Sequence, residues 1–156
     1  MDNDEKQAAI EAIENHFATL SVGQSSRQEK IYSEGMAHEY AGKFDIPYPG
    51  VYVTAEGELL VPPGMIFMRP AVTFGISDPD APPLSKGGIF TQTHRKYLKP
   101  VRVGQPVTFD GHIIDLYRRR GFYYLAVRWE ARDEDGSILA AGDEWHTLGF
   151  LRVPSD

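Results

Sequence analysis

The sequence predicts an α+β domain, a curved antiparallel sheet wrapped around one central helix, with an extra helix at the N-terminus. Three observations carry that prediction. Residues 4–20 repeat apolar side chains at helical spacing, and residues 62–75 are apolar nearly all round. From residue 89 onward, four segments alternate with period two between turn residues. At 156 residues and 42% hydrophobic, the chain can bury one ordinary core and is short for two. The units expected are an amphipathic helix over 1–24 and a single domain over 25–156.

In the first helix, Ile10, Ile13, Phe17 and Leu20 form one stripe, with Glu5, Glu11 and Glu14 elsewhere on its surface. Such a helix docks on a neighbour. Asp2 or Asp4 can cap its start, and Gly23, Ser25 and Ser26 mark its exit. A second, short helix follows. Ser33 is its N-cap and Glu34 lies in its first turn, while Met36, Tyr40 and Phe44 face inward before the Pro47-Tyr48-Pro49-Gly50 break. Residues 45–61 read as a loop.

The run Pro62-Pro63-Gly64-Met65-Ile66-Phe67-Met68 has no polar face, as expected of a helix covered on every side. Proline fits a first helical turn, where N–H groups lack partners, but Pro70 should kink or shorten the helix. Residues 76–88 form a Pro- and Gly-rich loop. Strands are expected over 89–98, 106–117, 122–132 and 137–153, separated by Pro100, Gly104, Arg120-Gly121 and Asp135-Gly136. Those turns favour consecutive antiparallel hairpins. The 62–75 segment is the one apolar enough to cover the inner face of such a sheet.

Composition excludes several function classes. No run of about twenty apolar residues exists and the N-terminus is acidic, so a soluble, cytoplasmic protein without a membrane span or secretory signal is expected. The absence of cysteine removes disulfides, thiolate chemistry and cysteine-ligated metals. A net charge of −6 argues against a broad nucleic-acid surface. No histidines stand at metal-ligand spacing, and no phosphate-binding or dinucleotide glycine motif occurs, so no metal or cofactor is expected. His16 belongs to the surface helix and His38 to the second helix. His94 neighbours Arg95 and Lys96, and His112 and His146 fill half-buried strand positions. Arg118, Arg119 and Arg120 form a hairpin tip, either solvated or in contact with phosphates or an acidic carrier. Tyr117, Phe122, Tyr123, Tyr124 and Trp129 read as core and interface aromatics.

Several segments occur in a telling order. Leu59 to Met68 reads LLVPPGMIFM. Lys99-Pro100-Val101 is followed by a Val103-Gly104-Gln105 turn, a long strand, the basic hairpin and Asp133-Glu134-Asp135-Gly136. Together these segments resemble MaoC-like hydratases and dehydratases, over residues 25–152. The resemblance implies the hot-dog fold, with its sheet paired to a second one in a homodimer, a heterodimer or a double hot-dog. It also implies addition or removal of water on acyl chains carried by coenzyme A or acyl carrier protein. Proton movement next to a thioester carbonyl needs a positioned acid or base, and backbone donors for the developing enolate oxygen. By resemblance, Gly64 and Met65 at the helix start supply those donors, with Pro63 and Tyr52 also binding substrate.

The family's reacting loop reads G-D-x-N-P-x-H, and the matching stretch here runs from Phe44 to Tyr52. Asp45 matches the catalytic Asp, Tyr48-Pro49 stands for Asn-Pro, and Val51 or Tyr52 occupies the histidine position. Capping a turn or helix end is the alternative role of Asp45. The missing histidine resembles the branch of hot-dog halves that lack the dyad and serve a catalytic partner. Three functions are therefore expected in order: an acyl thioester hydratase/dehydratase, a non-catalytic acyl-binding subunit, and an acyl-CoA thioesterase. The last needs a carboxylate near the helix start, and 62–75 contains none.

Overall fold

Helix α1 (Asn3–Thr19) buries Ile10 and Ile13 of the predicted stripe together with Ala9, and packs Phe17 and its C-cap Leu20, partly buried, against the core. The computed structural model describes residues 2–153; Met1 and residues 154–156, at the outer ends of the two predicted units, lie outside the described residues. Among the described residues follow β1 (Ser25–Ile31), α2 (Glu34–Lys43), α3 (Pro70–Thr73), β2 (Phe90–Tyr97), β3 (Pro106–Arg119), β4 (Phe122–Arg132) and β5 (Ile138–Thr147). The strands make one antiparallel sheet in the order β1-β3-β4-β5-β2. No described helix is long and apolar enough to cross a membrane.

Four strands match the predicted segments, with β3 running past its predicted end at Tyr117 to Arg119. At the β3–β4 tip, Arg120 and Gly121 both take positive φ, 53° and 80°, as a tight two-residue hairpin requires. The last strand is shorter than predicted. It stops at Thr147, after which Gly149 N–H donates to Gly87 O at 2.9 Å and Phe150 N–H to Leu84 O at 2.9 Å. The chain leaves the sheet there to hold the 84–88 loop. Strand β1 is an addition to the predicted elements. Its sequence SSRQEKI holds one β-branched residue, and pairing with β3 from Ser25↔His112 to Ile31↔Pro106 makes it a strand.

Correction is needed for the central helix. Residues 62–75 are not one continuous helix wrapped on all sides. They form a single 3₁₀ turn (Pro63–Met65), an extended stretch, and the four-residue α3. The prolines account for this. A residue before proline is pushed out of the helical region, and Arg69 accordingly sits at φ −106°, ψ 88°. Pro70 thus opens α3 instead of kinking a longer helix. The segment is one-sided: Ile66, Met68, Ala71 and Phe74 are buried while Val72 is 67% exposed.

Met68 is the central knob of the core, fully buried with Phe109, Ile113, Leu125, Val127 and Trp129. Burying a side chain of that size contributes about 1.5–3 kcal/mol. Gly111 makes room for it, since a Cβ there would lie 2.3 Å from Met68 Sδ. At one end of the sheet α1 docks through Phe17 against Tyr123, with ring centroids 4.5 Å apart. His16, expected on the surface, instead places Nε2 2.7 Å from Phe74 O and ties α1 to the end of α3. The predicted aromatic cluster divides: Trp129 is in the core beside Phe109, and Tyr117 stacks on Tyr124 at 4.9 Å.

Candidate functional site

Between α2, β1 and the 64–73 segment lies a cleft of about 740 Å³. The size falls within the usual range for small-molecule sites. Local sequence explains how each wall is fixed. Ser33 caps α2, its Oγ accepting from Met36 N–H at 3.2 Å. The apolar positions of α2 then divide between core and cleft. Ala37 and Ala41 are buried, whereas Met36 and Phe44, expected to face the core, are 46% and 62% exposed and line the cleft with Tyr40.

Side chains of β1 and the residue after it clamp the opposite wall through its backbone. Tyr32 Oη donates to Met65 O at 3.2 Å, and Lys30 Nζ donates to Phe67 O at 3.4 Å. Gln28 Nε2 donates to Thr73 Oγ1 at 2.9 Å. Tyr40 abuts Gly64 so closely that a Cβ there would lie 2.1 Å from the phenol oxygen, so a larger residue would have to displace the Tyr40 ring. Burial, above all, pushes the pKa of both Tyr32 and Tyr40 up. Both phenols therefore remain protonated donors at neutral pH.

From the far edge of the sheet Arg95 reaches into the same cleft. Its Nε and Nη2 donate to Glu144 at 2.7 and 3.3 Å, and Trp129 Nε1 adds a third bond to Glu144 at 3.2 Å. Its guanidinium also lies over the Phe67 and Phe90 rings, at 4.5 and 5.4 Å. Burial works to lower the Arg95 pKa, but the bonds to Glu144 and its charge outweigh that and raise it. Glu144 is fully buried, so the pair is a fixed element of the inner face. Two residues on, His146 is 7% exposed, and neither ring nitrogen has a hydrogen-bond partner. Phe90 stands edge-on to it at 4.7 Å. Burial first, and Arg95 second, lower the His146 pKa to about 4.

The residues singled out from sequence are not all brought together. Gly64 and Met65 line the α2 cleft, while Tyr52 and Pro63 line a separate cavity of about 270 Å³. Met65 N–H already donates to Pro62 O at 2.9 Å. With Pro63 lacking an N–H, Gly64 is the backbone donor at the start of the turn that the turn itself does not use. Asp45 is exposed, has φ 53°, and lines none of these cavities. Ile46 N–H bonds back to Ala41 O at 2.9 Å, which makes Asp45 the left-handed residue closing α2. Sequence reading missed Lys30, Arg69, Arg95 and Glu144, and took His146 only as a half-buried strand residue. A signal existed on β5, where Ala140, Gly142, Glu144 and His146 alternate on the inward face opposite Ala131, Trp129, Val127 and Leu125.

No protein-family model matches the chain, and no curated protein matches it in sequence. Solved structures do match. An (R)-hydratase from A. caviae involved in PHA biosynthesis shares 18% identity at a TM-score of 0.62, covering 83% of this chain and 98% of its own. A MaoC-like dehydratase from Rhodospirillum rubrum shares 16% identity at a TM-score of 0.59, covering 88% and 97%. The C-terminally truncated HadBC (3R-hydroxyacyl-ACP dehydratase) complex from Mycobacterium tuberculosis shares 16% identity at 0.60, covering 83% and 98%. With its five-stranded antiparallel sheet, its inner segment and this coverage, the chain has the hot-dog fold found in MaoC-like dehydratases and (R)-hydratases.

Proposed function

We propose that this chain is a MaoC-type component of an acyl thioester hydratase/dehydratase: its α2 cleft holds the acyl group, and a partner hot-dog subunit supplies the proton-transfer pair. The observation that carries this reading is the make-up of the cleft. Apolar Met36, Phe44, Met65 and Val72 stand beside tyrosine, lysine and arginine, and no histidine or carboxylate is among the lining residues. Water addition needs a base for the water and an acid for the carbon next to the carbonyl. The phenol of Tyr40 and the N–H of Gly64 are donors suited to a thioester oxygen, while the Tyr32 hydrogen is already given to Met65 O, and none of these groups is a base at neutral pH.

Where a partner would dock is suggested by the edge strand β2. Ile89, Phe90, Tyr97 and Leu98 are 44%, 43%, 42% and 58% exposed, and β2 pairs on one side only. The strand is polar from Thr91 to Lys96 with these apolar residues at its two ends, and its unpaired backbone is a template for a second sheet. HadBC, similar in fold, is itself a complex. The thioester is substrate, with no further cofactor in this reading, and the cysteine-free composition suits a cytoplasmic setting. A thioesterase would need a carboxylate to activate water, which the cleft lining does not offer.

The test is to purify the chain alone and measure both binding of hexanoyl-CoA and loss of absorbance of a 2-enoyl-CoA. Binding without turnover, with turnover appearing when a dyad-bearing hot-dog subunit is added, is the expected result. Turnover by the chain alone that Asp45→Asn abolishes would make Asp45 the reacting carboxylate and contradict the partner reading. Release of free CoA from hexanoyl-CoA would instead establish the thioesterase.

A further inference from the structure

Four cations line the α2 cleft, Lys30, Lys43, Arg69 and Arg95, and no carboxylate does. In a chain of net charge −6 that is a marked local inversion. Two of the four are already neutralised: Arg95 by Glu144, and Lys43 by Glu39 at 2.5 Å. Lys30 and Arg69 are in no ion pair among the described residues. Both heads are gathered around Phe67. Lys30 Nζ donates to the Phe67 carbonyl and stands 5.0 Å from the Phe109 ring centre, while the Arg69 guanidinium lies 5.5 Å from the Phe67 ring centre. Burial, and after it the charge of Arg69, lower the Lys30 pKa. Lys30 is half-buried and Arg69 exposed; like charges facing one cleft repel, and an anion drawn between them relieves the repulsion while forming charge-assisted bonds. Beside them Val72 and Phe44 offer exposed apolar surface, 67% and 62%.

We propose that Lys30 and Arg69 together hold an oxyanion, a carboxylate or a phosphate, carried by the ligand that occupies the α2 cleft. This deepens the thioester reading and rests on it for the identity of the ligand, but the anion site is testable without it. Two sources are chemically equivalent at the site: a carboxylate on the acyl chain itself, and a phosphate of the carrier.

Calorimetric titration of the full chain with hexanoyl-CoA, adipoyl-CoA, free CoA and adipate separates them, with Lys30→Met and Arg69→Gln measured alongside. Lys30→Met keeps an apolar stem against Phe109, and Arg69 is exposed, so neither change empties the core. Each variant should weaken binding of the anion-bearing probe by about tenfold or more, the usual scale for losing a charged hydrogen bond. A carboxylate source predicts that adipoyl-CoA and adipate are weakened while hexanoyl-CoA and free CoA are spared. A phosphate source predicts that the three CoA ligands weaken alike and adipate is unaffected. If the wild type binds adipate alone and both variants lose it, the oxyanion site stands and the thioester reading fails. Equal affinity of wild type and both variants for every probe, or binding of none of them, overturns the site.

Discussion

Acidification should destabilise this protein through one imidazole, His146, before its carboxylates are neutralised. The ring is 7% exposed with both nitrogens unpartnered, and Arg95 and Glu144 are the charged groups on the same inner face. Its pKa in the folded state is about 4, against an ordinary value of 6.5. Because the folded state resists the proton, the unfolded chain takes it up first as pH falls below 6.5. Stability owed to the neutral ring is therefore complete above that pH, and declines between 6.5 and about 4. Over that gap, at 1.36 kcal/mol for each tenfold in proton affinity, the loss reaches about 3 kcal/mol. Urea unfolding followed by tryptophan fluorescence at steps between pH 7 and 4 measures it, with His146→Phe as the comparison. The variant fills similar space without an ionisable group, so the wild-type curve should fall more steeply and the two should diverge by about that amount. Parallel curves would refute the assignment of a buried neutral ring.

Other changes have equally definite outcomes. Glu144→Gln leaves the Arg95 cation without its buried partner and should cost about 3–5 kcal/mol in denaturant unfolding, with much of the loss recovered when Arg95 is changed to Met as well. Gly64→Ala places a methyl against the Tyr40 hydroxyl and should cost about 1–3 kcal/mol. Adding Tyr40→Phe, which deletes that oxygen, should restore most of it. Asp45→Gly should raise the thermal midpoint, because Asp45 holds φ 53° where glycine is unstrained and the relief is about 1 kcal/mol. A lower midpoint would point to an interaction of the Asp45 carboxylate that the α2 terminus does not account for.

The elements most legible in the sequence are those whose pattern is local. The stripe of α1, the Ser33 cap of α2 and the Arg120-Gly121 hairpin each follow from a few neighbouring residues. Strand β1 was not legible, because its polar run becomes a strand through pairing with residues about eighty positions away. The apolar run at 62–75 was read correctly as inner-face material and incorrectly as a helix. Composition reports burial, but Pro70 dictates backbone shape, and its effect on Arg69 ends any helix there. The cleft depends on which of three distant segments converge. Lys30, Phe67 and Arg95 come together only through the sheet order, so no spacing in the sequence could reveal them. Asp45 matched a family position by residue type, and its backbone shows a helix-closing role that a motif comparison does not register.

Methyl-labelled methionine NMR tests most directly whether an acyl thioester occupies the α2 cleft. Met36 and Met65 line that cleft, whereas Met68 is sealed in the core. Adding hexanoyl-CoA to saturation should shift the methyl signals of Met36 and Met65 and leave that of Met68 in place. Signals of Met36 and Met65 that stay unmoved with ligand bound, or an absence of binding altogether, would contradict the account.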